Sequence, residues 1–85
     1  MQQEIRAVLA DLPKVGDVAG TLPEDADLWS AGMDSLTSVQ LMLRLEDHFG
    51  VEFPDEALTR DTFGSIRSLC GVLGGLLVER KAGAS

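Results

Sequence analysis

The sequence predicts an all-α fold: a small, up-and-down-like bundle of three main helices plus one short helix, with a long loop between the first two. Three observations carry that expectation. Leu, Ala, Glu and Met recur at helical spacing, whereas strand-forming runs of Val, Ile, Thr and Tyr are absent. Aromatic residues make up only 5% of the chain and none is Tyr, so the core must be aliphatic. Finally, 85 residues suit one domain, taken here as residues 1–81 with Ala82 to Ser85 as a frayed tail.

Ile5, Val8, Leu9 and Leu12 lie three and four apart and define a first helix from Gln2 to Leu12 with one buried face. Pro13 disfavours helical backbone at Leu12, and Gly16 loosens the chain further. From Pro13 to Asp34 no period is sustained, and a loop of that length in a compact domain is normally functional. Val15, Val18, Leu22, Leu28 and Trp29 are spaced to pin it across a helical core, with Trp29 as an anchor rather than a stacking platform.

The second helix is expected from Ser35 to Phe49, with Asp34 as its N-cap and Gly50 as its stop. Leu41, Met42, Leu45 and Phe49 share a face that packs inward. Leu36, Val39 and Leu43 form a second strip, continuous with Ser35, which is either buried between neighbours or a partner surface. Val51 to Pro54 then crosses in extended form, and Pro54-Asp55-Glu56 opens a short third helix. Thr62 is the candidate N-cap of the last helix, whose stripe is Phe63, Ile66, Leu69, Cys70, Leu73, Leu76 and Leu77. Gly64, Gly71, Gly74 and Gly75 weaken that helix, and close approach of a neighbouring helix would account for some of them. Arg80 and Lys81 complement the negative end of its dipole.

Fourteen acidic against seven basic residues leave a net charge of −7, which argues against a surface that neutralises nucleic-acid phosphates and favours basic partners. The acidity is concentrated before residue 62; the remainder carries one acid and three bases. A lone Cys70 on an apolar stripe reads as an inert core thiol in a reducing compartment. Neither a secretory leader nor an apolar run long enough to span a bilayer is present, so a cytoplasmic monomer without membrane insertion is expected.

The chain is poor in catalytic constellations. His48, the one histidine, lies nearly four turns from Ser35 on the same predicted helix and cannot serve as its base. No Cys/His spacing resembles a metal site, and no glycine-rich loop follows a strand. Glu24, Asp25, Asp27, Glu46 and Asp47 read as solvated faces. Ser35 differs, because a phosphate ester on the first residue of a helix would sit at the positive end of the dipole beside unpaired backbone N–H groups. With no activating base in the chain, another protein would have to attach it. Taken alone, Asp-Ser-Leu is also simply what caps a helix.

The longer pattern resembles the acyl carrier protein family: Asp27-Leu28-Trp29, then Gly32-Met33-Asp34-Ser35-Leu36, then Val39, Leu41, Leu45, Glu46, Phe49, Phe53-Pro54-Asp55 and a final apolar helix. The resemblance covers nearly the whole chain. It implies that Ser35 receives 4′-phosphopantetheine from coenzyme A through a phosphopantetheinyl transferase, with Asp34 as the cap beside it. The thiol of that arm would hold acyl or aminoacyl cargo as a thioester, loaded by a ligase or acyltransferase and passed to acceptor enzymes that dock through Leu36, Val39, Gln40 and Leu43. The carrier would itself catalyse nothing. Fatty acid synthesis carriers tend to be acidic at the exposed start of this helix, where this chain has Thr37, Ser38 and Gln40, with Arg44 further along. The neutral run looks more like polyketide, nonribosomal or aminoacyl carriers, which points to a specialised pathway. A module of the same fold that docks on partners without cargo is the alternative.

Overall fold

The computed structural model describes the backbone of residues 1–84 and the side-chain surroundings of residues 1–78. Its regular elements, among the described residues, are α1 (Gln2–Ala10), α2 (Ser35–Phe49), one 3-10 turn (Asp55–Ala57) and α3 (Ile66–Ala84). The expected three main helices and one short one are therefore present. The helical backbone runs on to Ala84, so of the tail expected to fray only Ser85 lies outside the described residues, as do the surroundings of the Arg80 and Lys81 side chains.

α1 presents Ile5, Val8 and Leu9 to the core and packs against both α2 and α3. It ends at Ala10 rather than Leu12, because the N–H groups of Asp11 and Leu12 turn back three residues, to the carbonyls of Val8 and Leu9. Leu12 is nonetheless buried and opens the long loop. That loop is a chain of turns from residue 11 to residue 32, and it reaches the core through Leu12, Val15, Ala19, Leu28 and Met33. Val18 and Leu22, expected among its pins, are only half-buried. Ala19 and Met33 were not legible as core positions, since neither belongs to a periodic run.

Three contacts tie the loop to the chain around the start of α3. The N–H of Leu28 donates to the carbonyl of Gly64 at 2.8 Å, and the N–H of Arg67 donates to the carbonyl of Glu24 at 2.8 Å. The Arg67 guanidinium also donates to Glu24 Oε1 at 2.8 Å, while Gln2 of α1 donates to the other oxygen. Glu24 is thus a link between helices as well as a solvent-exposed carboxylate. Glu46 is similar: its Oε2 accepts the N–H of Phe53 at 2.7 Å and fixes the extended segment that follows α2.

α3 begins at Ile66, three residues later than Thr62 would imply. Ser65 occupies the capping position, its Oγ accepting the Ser68 N–H at 3.1 Å. Thr62 instead closes a turn with Thr59, whose Oγ1 accepts the Thr62 N–H at 3.2 Å. Thr62 and Ser65 both suit the cap by residue type, and the turn from Asp61 to Gly64, whose carbonyl accepts from Leu28, precedes the helix. Ile66, Leu69 and Leu73 are fully buried, and Cys70 lies half-buried against the core. Among the described residues no neighbour explains Gly71, Gly74 or Gly75: a Cβ added at any of them would meet nothing within 4 Å.

Candidate functional site

The junction between the loop and α2 is built residue by residue. Gly32 has φ +122°, and a Cβ there would lie 2.9 Å from the carbonyl oxygen of Lys14, so only glycine fits the bend. Directly after it Met33 enters the core, 5% exposed. Asp34 then adopts extended backbone, and its Oδ1 accepts the Thr37 N–H at 2.8 Å. Hydrogen bonding from Thr37, side chain and backbone, holds the Asp34 carboxyl below its ordinary value, so the cap is ionised at neutral pH.

With the capping role taken by Asp34, Ser35 is the first residue of α2 and is exposed. Its hydroxyl has no hydrogen-bond partner among the described residues; only its carbonyl is engaged, by the Ser38 hydroxyl at 2.7 Å. The backbone N–H groups at such a helix start, aligned with the positive end of the dipole, suit a phosphate ester on that hydroxyl. His48 lies elsewhere, its Nε2 3.5 Å from Glu4 Oε2 and its ring edge against Phe49.

Around α2 the faces sort as the periodicity predicts, with one correction. Thr37, Leu41 and Leu45, four residues apart, form the buried row, and Met42 and Phe49 pack partly against the core. Thr37 is therefore an inward residue at 3% exposure and not part of the outer surface at the helix start. Leu36, Val39 and Leu43 are exposed by 68%, 49% and 55%, so the second strip is not buried within the chain. Gln40 is exposed between them.

Beside Ser35 an open groove of about 390 Å³ runs between α2 and the segment from Leu58 to Phe63. Val39, Met42, Leu58 and Phe63 give it an apolar lining, and Trp29 and Arg60 close one side. The Trp29 indole N–H donates to the Arg60 carbonyl at 3.1 Å, and the Arg60 guanidinium lies 4.6 Å from the centroid of that ring. The loop before this pair is held by Asp27, which accepts the Ser30 hydroxyl and the Trp29 N–H, both at 2.9 Å, and whose carboxyl is lowered by those bonds. Periodicity could not reveal Leu58 and Arg60 as groove residues, because they sit in an irregular connector, and Arg60 meets Trp29 across some thirty positions.

The structure is a three-helix bundle with an exposed serine at a helix start, no ionisable base hydrogen-bonded to it among the described residues, and an apolar groove alongside. The chain matches the phosphopantetheine attachment site family over residues 3–73, and it belongs to that family. It is therefore a carrier protein, whose covalent cofactor is 4′-phosphopantetheine and whose cargo is held on the arm as a thioester. It is 42% identical over 69 residues to an aminoacyl carrier protein of Agrobacterium fabrum, a match that covers 81% of this chain and 83% of the relative. An acyl carrier protein of Helicobacter pylori is 44% identical over 54 residues, 64% of this chain and 68% of the relative. The fold is similar to a chain in the crystal structure of an engineered Bradyrhizobium japonicum glycine:carrier protein ligase complexed with a carrier protein from Agrobacterium tumefaciens and ATP. There the TM-score is 0.80 at 38% identity, over 86% of this chain and 95% of that one. A solution structure of an Agrobacterium tumefaciens protein matches with TM-score 0.72 at 39% identity, over 96% of this chain and 99% of that one. None of the helices among the described residues is long and apolar enough to cross a membrane.

Proposed function

We propose that Ser35 is the residue that holds the 4′-phosphopantetheine arm, and that the thiol at its end carries an amino acid. One observation supports the site above the others: the Ser35 hydroxyl stands exposed and unengaged because Asp34 does the capping. Identity of 42% to an aminoacyl carrier protein, and similarity to a chain solved with a glycine ligase, support the cargo. The neutral residues Ser38 and Gln40 at the start of α2 favour a specialised pathway over fatty acid synthesis.

On this reading Ser35 becomes a nucleophile only within a phosphopantetheinyl transferase. Its Oγ forms the new bond to phosphorus as the pyrophosphate linkage of coenzyme A breaks, adenosine bisphosphate leaves, and the hydroxyl proton passes to a base of the transferase. The carrier performs no catalysis of its own. A ligase or acyltransferase loads the arm, acceptor enzymes unload it, and these partners dock on the exposed residues Leu36, Val39, Gln40 and Leu43 of a cytoplasmic monomer.

Intact mass tests the site. Incubation with coenzyme A and a broad-specificity transferase is expected to add one arm to the wild type and none to Ser35→Ala. An arm on Ser35→Ala, or an unchanged wild-type mass with several transferases, overturns the assignment. Full function of Ser35→Ala in cells would instead favour a docking module without cargo.

A further inference from the structure

The groove beside Ser35 holds one charged side chain among the residues that line it, and that charge is positive. Arg60 stands at its rim, over the face of Trp29, while the remaining lining is Ser and Thr hydroxyls and the apolar surface of Val39, Met42, Leu58 and Phe63. The guanidinium stacks on Trp29, and the backbone that carries it is tied to the same ring. The Arg60 carbonyl accepts the indole N–H of Trp29; the Asp27 carboxylate, already engaged by Ser30 and the Trp29 N–H, feels the Arg60 charge but does not ion-pair with it, nor does any other carboxylate among the described residues. An apolar slot with a cation stacked at its edge is selective in a definite way. It can take a neutral chain. It repels a second cation, offers no carboxylate to pair with one, and has the exposed face of Trp29 already covered by Arg60.

We infer that Arg60 acts as a charge filter on what the groove accepts, keeping a load that ends in an α-ammonium group in solvent while a neutral acyl load of the same size can enter. The inference rests on the reading that the arm is attached at Ser35, which puts its first atoms at the groove's edge. A glycyl and a propionyl group are nearly the same shape and differ in an ammonium for a methyl, so the sorting is by charge and not by fit. An amino acid held this way stays exposed to the enzyme that will use it, and only a neutral load is withdrawn. Like charges brought within a few ångströms of each other, even at an exposed rim, repel strongly enough to lower occupancy about tenfold.

The test loads the protein with coenzyme A analogues that carry glycyl or propionyl through an amide in place of the thioester, and intact mass first verifies one arm that is absent from Ser35→Ala. Failure at that step overturns the attachment site and is read separately. NMR then follows the side-chain methyl resonances of Val39, Met42 and Leu58 and the Trp29 indole N–H. In the wild type propionyl is expected to shift them, and glycyl to leave them near their positions in the protein with an unloaded arm. In Arg60→Glu the glycyl load is expected to shift them as well, whereas Arg60→Lys, which keeps the charge without the planar stack, behaves as wild type. Equal shifts from both loads in the wild type, no shift from propionyl, an Arg60→Glu variant that sorts unchanged, or an Arg60→Lys variant that ceases to sort, each overturns the filter.

Discussion

Trp29 and Arg60 hold each other twice: the indole N–H donates to the Arg60 carbonyl at 3.1 Å, and the Arg60 guanidinium returns over the indole at 4.6 Å from its centroid. Thirty-one residues separate them, so this one pair joins the loop before α2 to the connector before α3. Trp29→Phe keeps a ring but removes the N–H, and is expected to destabilise by about 1 kcal/mol. Trp29→Ala also empties a half-buried aromatic site and is expected to lose about 2–3 kcal/mol. Urea unfolding followed by circular dichroism measures both. Equal losses would mean that the ring contributes nothing beyond its N–H.

What the sequence made legible was whatever repeats. Ile5, Val8 and Leu9 on α1, Leu41 and Leu45 on α2, and Ile66, Leu69 and Leu73 on α3 are buried as their spacing predicts. Asp34 and Gly50 bound α2 as their residue types predict, the latter in left-handed conformation at φ 65°. Long-range polar ties were not legible, because no local rule connects Glu24 to Arg67 or Trp29 to Arg60. Ser65 rather than Thr62 caps α3, and residue type could not separate them: Thr and Ser both suit the position, and Thr62 is engaged instead by Thr59. The exposed strip of Leu36, Val39 and Leu43 lies between these cases, since spacing defined it but could not say whether a neighbour would cover it.

Three carboxylates shape the acid limb of stability. Glu24 is lowered by its bond from Arg67 and then from Gln2, Asp27 by the Ser30 hydroxyl and then the Trp29 N–H, and Asp34 by Thr37. A folded-state value below the unfolded one means that the unfolded chain takes up the proton first. Their stabilisation is therefore complete above the ordinary values of 4.5 for Glu24 and 3.8 for the two aspartates, and is lost as pH falls through the lowered folded values. The urea midpoint is expected to decline as pH is taken below those ordinary values. Glu24→Gln, which cannot gain a proton there, is expected to decline less steeply, and an identical slope would remove Glu24 from the account.

Gly32 and Gly50 both have positive φ, but an alanine would meet different surroundings at each. At Gly50 the conformation is the ordinary left-handed helix cap, for which alanine costs about 1–2 kcal/mol. At Gly32 φ is +122° and the new Cβ would also press on the Lys14 carbonyl at 2.9 Å. Gly32→Ala is therefore expected to cost more, about 2–3 kcal/mol. Because the bend it breaks leads into Asp34 and Ser35, the variant is also expected to be modified more slowly by a phosphopantetheinyl transferase, as followed by intact mass. A loss no larger than that of Gly50→Ala would show that the loop relaxes around residue 32.

The glycines of α3 lead to the opposite expectation. Gly71 and Gly75 are exposed within a helix, have no positive φ, and would present a Cβ to open space. Glycine in a helix interior is less favourable than alanine by about 0.8–1.0 kcal/mol, chiefly through the backbone entropy it loses on folding. Gly71→Ala and Gly75→Ala are each expected to stabilise by about 0.5–1 kcal/mol, with the double variant near the sum because neither methyl group meets a neighbour. Chemical denaturation decides the matter. A gain would establish that these glycines are not required by packing within the chain, and a loss would mean that α3 packs more closely there than its open surroundings indicate.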